Sequence, residues 1–188
     1  YKDDRRTNIV EGEEDLEVED LIPKEDFVVM CSNEGYVKKL AMGEYKQQRR
    51  GGKGIIGAET KEEDIVEHIF TSNSHSTLLL FTDLGRVYWL KTYRIPTASR
   101  YSKGKALINL INLRENENVT NILPVNKFDD RLSIIFVTKN GQIKKTALNS
   151  FARPMKSGIK AITLRDTDKL INARLTPDTL SFILCSKK

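Results

Sequence analysis

Ile134-Ile135-Phe136-Val137-Thr138-Lys139-Asn140-Gly141 is an apolar run closed by an Asn-Gly turn, a strong hairpin signal. The chain carries the same phrase twice more. Leu78-Leu79-Leu80-Phe81-Thr82-Asp83-Leu84-Gly85 and Phe27-Val28-Val29-Met30-Cys31-Ser32-Asn33-Glu34-Gly35 have apolar runs of similar length and a glycine at the same point. The three glycines are 50 and then 56 residues apart. An alternating strand follows each turn: Tyr36–Leu40, Arg86–Leu90 and Gln142–Thr146. A loop then ends at a second glycine, Gly54, Gly104 or Gly158, which lies 19, 19 and 17 residues after the first. A third strand is predicted from there, over Ile55–Ala58, Ala106–Leu113 and Ile159–Leu164, and a fourth over Ile65–Phe70, Val119–Val125 and Leu170–Leu175.

A repeat of four strands in about 50 residues points to propeller blades, each of which needs its neighbours to cover its faces. The predicted fold is therefore all-β, a propeller-like repeat of four-stranded blades. Residues 27–77, 78–133 and 134–179 make about three blades, and 180–188 match the first strand of a fourth. Three blades and a strand do not close a ring. The opening Tyr1-Lys2-Asp3-Asp4 also does not look like a natural start, so the chain reads as part of something longer.

Residues 1–26 fall outside the repeat and carry 11 acidic and 4 basic side chains, whereas 27–188 carry 15 acidic and 27 basic. The first stretch reads as an acidic linker. The alternative for Glu11–Asp20 is a nucleic-acid mimic that competes for the basic surface. An acidic lead on a basic body suggests a polyanionic partner. No apolar run reaches 18 residues, so no membrane helix is expected. Cys31 and Cys185 form neither a disulfide framework nor a zinc pattern and read as small core residues of a reducing cytoplasm.

The cations recur with the repeat. The loops before the second glycine, with the residues around it, carry Lys46, Arg49, Arg50 and Lys53, then Lys91, Arg94, Arg100, Lys103 and Lys105, then Arg153, Lys156 and Lys160. The strands after the first turn add Lys38, Lys39, Arg86, Lys144 and Lys145. Equivalent blades would carry these at one height, as a curved stripe suited to bent duplex. Single-strand binding calls for exposed aromatic platforms. The loop aromatics Tyr45, Tyr93, Tyr101 and Phe151 are expected to pack between blades instead, and one of Tyr88 and Trp89 should be core. His68 and His75 have no ligand or triad spacing, and Gly52-Lys53-Gly54 lacks the hydroxyl residue of a nucleotide-binding loop, so no catalytic site is expected.

The densest of these loops is Gln48-Arg49-Arg50-Gly51-Gly52-Lys53-Gly54, three cations beside three glycines. Glycine lets the backbone approach a partner closely, and arginine's planar fork suits phosphate. The plainer reading is a solvated hairpin loop. These seven residues resemble the box of the DNA gyrase A C-terminal domain at every position. Asp4-Arg5-Arg6-Thr7 resembles the end of that family's breakage-reunion domain, and Gly104-Lys105-Ala106-Leu107-Ile108-Asn109-Leu110 its second-blade segment.

The resemblance covers nearly the whole chain and implies a β-pinwheel, usually of about six blades that exchange strands with their neighbours. It implies that Gln48 to Gly54 and the basic rim bend duplex DNA, the wrapping step of ATP-dependent negative supercoiling. It implies no catalytic residue and no cofactor in this chain, with ATP and magnesium acting elsewhere in the holoenzyme. The implied partners are duplex DNA, the gyrase A N-terminal domain, two B subunits and one further copy of gyrase A, in a cytoplasmic, nucleoid-associated enzyme without membrane contact. The alternatives are the matching C-terminal domain of topoisomerase IV, whose box is usually degenerate, and a protein-interaction propeller that docks an acidic partner. A propeller enzyme would need a carboxylate or metal cluster, and the sequence offers none.

Overall fold

The computed structural model describes residues 19–44, 65–99, 101–177 and 179–180, which form eleven strands in three antiparallel sheets. The first sheet is built from β1 (Asp26–Ser32), β2 (Tyr36–Ala41), β3 (Val66–Asn73) and β6 (Lys105–Ala106), in the order β3-β1-β2-β6. The second contains β4 (Thr77–Thr82), β5 (Arg86–Lys91), β7 (Val119–Val125) and β10 (Ile159–Lys160), in the order β10-β5-β4-β7. The third has β8 (Leu132–Thr138), β9 (Ile143–Ala147) and β11 (Leu170–Pro177), in the order β11-β8-β9.

The repeated phrase forms the same hairpin three times. Gly35, Gly85 and Gly141 each donate their N–H to the carbonyl three residues back, at 2.9, 2.9 and 3.0 Å. The hydroxyls of Ser32, Thr82 and Thr138 accept the N–H of Tyr36, Arg86 and Gln142. The turn chemistry is therefore shared, and the strands on either side pair in matching register.

The third strand is shorter than predicted, two residues long before the chain turns away, and it pairs with the preceding repeat, in line with the strand exchange that the resemblance implies. Lys105 and Ala106 lie opposite Val37 and Tyr36, and Ile159 and Lys160 lie opposite Val87 and Arg86. A sheet is thus not a continuous stretch of chain: the first two each take an edge strand from the next repeat. Glycine makes the crossing feasible. Gly104 sits at φ +87°, where an added Cβ would lie 2.5 Å from the Val37 carbonyl oxygen. Gly158 sits at φ +65°, with that position 2.6 Å from the Tyr88 ring. The predicted third strand Ile55–Ala58 and most of the run 180–188 lie outside the described residues.

The middle sheet is covered on both faces, which explains why β4 is apolar without alternation. Leu78 and Leu80 join Val29, Val37, Tyr88 and Ile122 in a core against the first sheet. Leu79 and Phe81 join Val87, Ile134, Phe136 and Phe151 in a core against the third. Phe81, Phe136 and Phe151 meet edge to face, with centroids 5.3–6.2 Å apart. Tyr88 is the buried member of its pair and Trp89 is half-buried. Cys31 is buried in the first core.

Candidate nucleic-acid interface

The predicted cations divide into an inward and an outward set. Lys38, Lys39 and Arg86 are only 5, 6 and 8% exposed, which corrects their placement on a basic rim. Lys38 Nζ donates to the carbonyls of Ser99 and Ser102 at 3.4 and 2.7 Å. Lys39 Nζ donates to those of Thr92 and Tyr93 at 3.3 and 3.0 Å and lies 4.6 Å from the Phe27 ring centre. Arg86 Nη2 donates to Ser157 and Gly158 at 2.7 and 2.8 Å. Each cation comes from one repeat and holds carbonyls of the next, so these residues serve as ties between repeats. A buried charge is tolerable only with such partners. Burial also pulls the pKa of Lys38 and Lys39 below the usual lysine value, although Glu25 partly opposes this at Lys39.

Arg86 also belongs to a buried polar network that sequence reading missed. Its Nε donates to the Tyr88 hydroxyl at 3.3 Å, and that hydroxyl donates to Glu117 Oε2 at 2.7 Å. Thr82 Oγ1 and the Arg114 N–H complete the carboxylate's partners at 2.6 and 2.9 Å. Burial, then the bond to Glu117, pushes the Tyr88 phenol up. The available signal was positional: Glu117 and Asp168 stand at the same step before the last strand of their repeats.

Arg94, Lys103, Lys105, Lys144, Lys145, Arg153, Lys156 and Lys160 are exposed, and Lys91 is half-buried. Lys103 pairs with Glu34 at 2.8 Å and lies 3.9 Å from the Tyr36 ring centre. Lys91 pairs with Glu19, a residue of the acidic lead, at 2.8 Å. Lys144 Nζ donates to the Ala161 carbonyl at 2.8 Å. Lys105, Arg153, Lys156 and Lys160 have no ion pair among the described residues. Lys105 and Lys160 occupy adjacent positions of the equivalent edge strands β6 and β10. Arg94 and Lys156, from successive repeats, line one groove with Trp89, Leu110, Ile111 and Met155. Trp89 is held there by its indole N–H, which donates to the Phe151 carbonyl at 2.8 Å. Lys46, Arg100 and the box residues Gln48, Arg49, Arg50, Gly51, Gly52, Lys53 and Gly54 lie outside the described residues.

Among the loop aromatics, Phe151 is buried in the core between the second and third sheets, as expected, and Tyr93 is half-buried. Tyr101 is the exception, being 67% exposed. Tyr45 lies outside the described residues. His75 Nε2 bonds the Ile22 carbonyl at 2.7 Å, and His68 lies in β3. No described group of three or more His, Cys, Asp or Glu could hold a metal ion. No helix among the described residues is long and apolar enough to cross a membrane.

Stacked antiparallel sheets with exchanged edge strands and outward cations define a repeat β-propeller domain. The chain belongs to the family described as DNA gyrase C-terminal domain, beta-propeller, matched over residues 26–73, 76–126 and 133–177. It is 43% identical over 186 residues to the gyrase A protein of Salmonella typhimurium, covering 99% of this chain and 21% of that protein. It is 48% identical over 175 residues to the gyrase A protein of Fibrobacter succinogenes, covering 93% and 19%. The chain thus spans about a fifth of the length of these relatives. Among solved structures it resembles the C-terminal domain of DNA topoisomerase IV, with a TM-score of 0.68, 25% identity, and 82% and 47% of the two chains covered. It also resembles the DNA gyrase A C-terminal domain, with a TM-score of 0.62, 26% identity, and 82% and 49% covered.

Proposed function

We propose that this domain binds duplex DNA through its outward cations and bends it, supplying the wrapping step of ATP-dependent negative supercoiling in a gyrase. The observation that carries the reading is the groove where Arg94 and Lys156 meet from two successive repeats. Lys105 and Lys160, each exposed on an edge strand that crosses to the preceding repeat, add further cations at adjacent steps of that strand. Contacts of this kind neutralise phosphates without reading bases. The box Gln48–Gly54 is assigned to the same DNA path. In this reading the chain is a non-catalytic part of a type II topoisomerase. It works with the gyrase A N-terminal domain, two B subunits and one further copy of gyrase A in the cytoplasm at the nucleoid, and ATP and magnesium act elsewhere in that assembly.

The test is binding to duplexes of increasing length across a salt series, with topology read after relaxation by a nicking-closing enzyme. Affinity should rise with length and fall steeply with salt, by a log–log slope of about −0.9 per phosphate contacted. A shallow salt dependence would instead favour an acidic protein partner. An intact linking change after Arg49, Arg50 and Lys53 are replaced by Ala would remove the box from the DNA path.

A further inference from the structure

Two large side chains on the outer loops share a place in the repeat. Tyr101 is 67% exposed and Met155 is 56% exposed. Each stands three residues before the positive-φ glycine that opens the crossing strand, Gly104 or Gly158. Cations flank both: Lys103 and Lys105 follow Tyr101, and Arg153 and Lys156 bracket Met155.

The loops that carry them are clamped. Lys38 of the preceding repeat holds the carbonyls of Ser99 and Ser102, and Arg86 holds those of Ser157 and Gly158. The Met155 carbonyl accepts the Gly158 N–H at 2.9 Å, closing a turn under the exposed side chain. Holding a large, mostly apolar side chain in water on a braced loop forgoes the gain from burying it. Repeating that arrangement beside cations suggests a surface that meets an apolar slot in a polyanion.

We propose that Tyr101 and Met155, in the second and third repeats, are wedges that enter the minor groove and partly unstack a base step, so that DNA bends at two points along the domain. This rests on the duplex-binding reading above and supplies its bending device. Minor-groove proteins pair apolar wedges with flanking cations in this way and kink the duplex by about 20–90° at each insertion. The braced loops let a wedge press on the stack without first being ordered. A tyrosine and a methionine at equivalent places share bulk and apolarity, which a wedge needs, and only one offers a stacking ring. That distinguishes insertion from the aromatic platforms of single-strand binders.

The test uses the full 188-residue chain and duplexes of about 40 base pairs carrying donor and acceptor dyes at their ends. Bending is read as energy transfer at saturation, and affinity is read across a salt series. Tyr101→Ala with Met155→Ala should reduce the bend by roughly half or more, with the salt slope unchanged. Tyr101→Phe with Met155→Leu should keep the bend. Lys105→Ala with Lys160→Ala should instead make the slope shallower by about 0.9 per contact. The polar pair Tyr101→Gln with Met155→Gln should repeat the loss of bend, and thermal melting confirms that each variant is folded. A wild-type bend in both the alanine and glutamine pairs would overturn the wedges and leave duplex binding standing. Failure of the unsubstituted chain to bind duplex, or binding insensitive to salt, would overturn both.

Discussion

Arg86→Ala separates a tie between repeats from a DNA contact. Arg86 is 8% exposed, and its guanidinium serves two carbonyls of the next repeat at 2.7 and 2.8 Å and a phenol at 3.3 Å. Each bond to a charged group contributes about 1.5–3 kcal/mol. Truncation leaves the Ser157 and Gly158 carbonyls without that donor and removes a cation near buried Glu117. Each buried acceptor left without its donor costs about 1–3 kcal/mol, so a loss of about 3–5 kcal/mol is expected for the two carbonyls together. The assay is urea unfolding with the slope m compared between variants, supported by a fall in melting temperature of roughly 6–20 °C for a domain of this size. Arg86→Lys should fall between, because one ammonium cannot reproduce the planar fork. The DNA-binding salt slope of the folded variant should match the unsubstituted chain. A stability loss under about 1 kcal/mol, together with a slope shallower by about 0.9, would return Arg86 to the DNA surface and refute the tie.

The crossing glycines make a paired prediction. Gly158→Ala meets the Tyr88 ring at 2.6 Å and the Val87 carbonyl at 2.8 Å as well as the φ strain, whereas Gly141→Ala has a similar φ of +80° and open space. Urea unfolding should show a loss of about 1–2 kcal/mol for Gly141→Ala and a clearly larger one for Gly158→Ala. Phe136→Ala removes a fully buried ring that meets both Phe81 and Phe151, and should destabilise by about 3–5 kcal/mol in the same assay. For acid stability, Asp83 supplies one contribution. Burial opposes its ionisation, but the Lys169 ammonium at 2.8 Å and the Asn118 N–H outweigh it and hold its pKa below the usual 3.8. The unfolded chain then binds more protons in that window, so this contribution is complete above pH 3.8 and is lost as pH falls through the folded value. Asp83→Asn should flatten that part of the stability curve, as followed by circular dichroism during acid titration.

Much of the fold was legible in local chemistry. Apolar runs ending in turn glycines predicted three hairpins, and Asn140-Gly141 and its counterparts close them with the same bonds. The unbroken Leu78–Phe81 run lacks alternation because neither face of its strand meets water in the folded domain. The partner of the third strand was not legible there, because a short edge segment carries no mark of it. Ala106 reads as a strand start whether it pairs within its own repeat or, as here, with Tyr36.

The candidate interface was legible in residue type and not in direction. Lys38 and Lys105 are equally basic in sequence, yet one is buried on backbone carbonyls and the other faces solvent. By itself, the sequence determined the repeat, its hairpins, its apolar faces and its surplus of positive charge, because turn geometry and side-chain polarity act over a few residues. The tertiary structure alone decided which repeat each edge strand joins and which cations turn inward. Both depend on backbone brought close from 53 to 74 residues away, and no local rule records that distance.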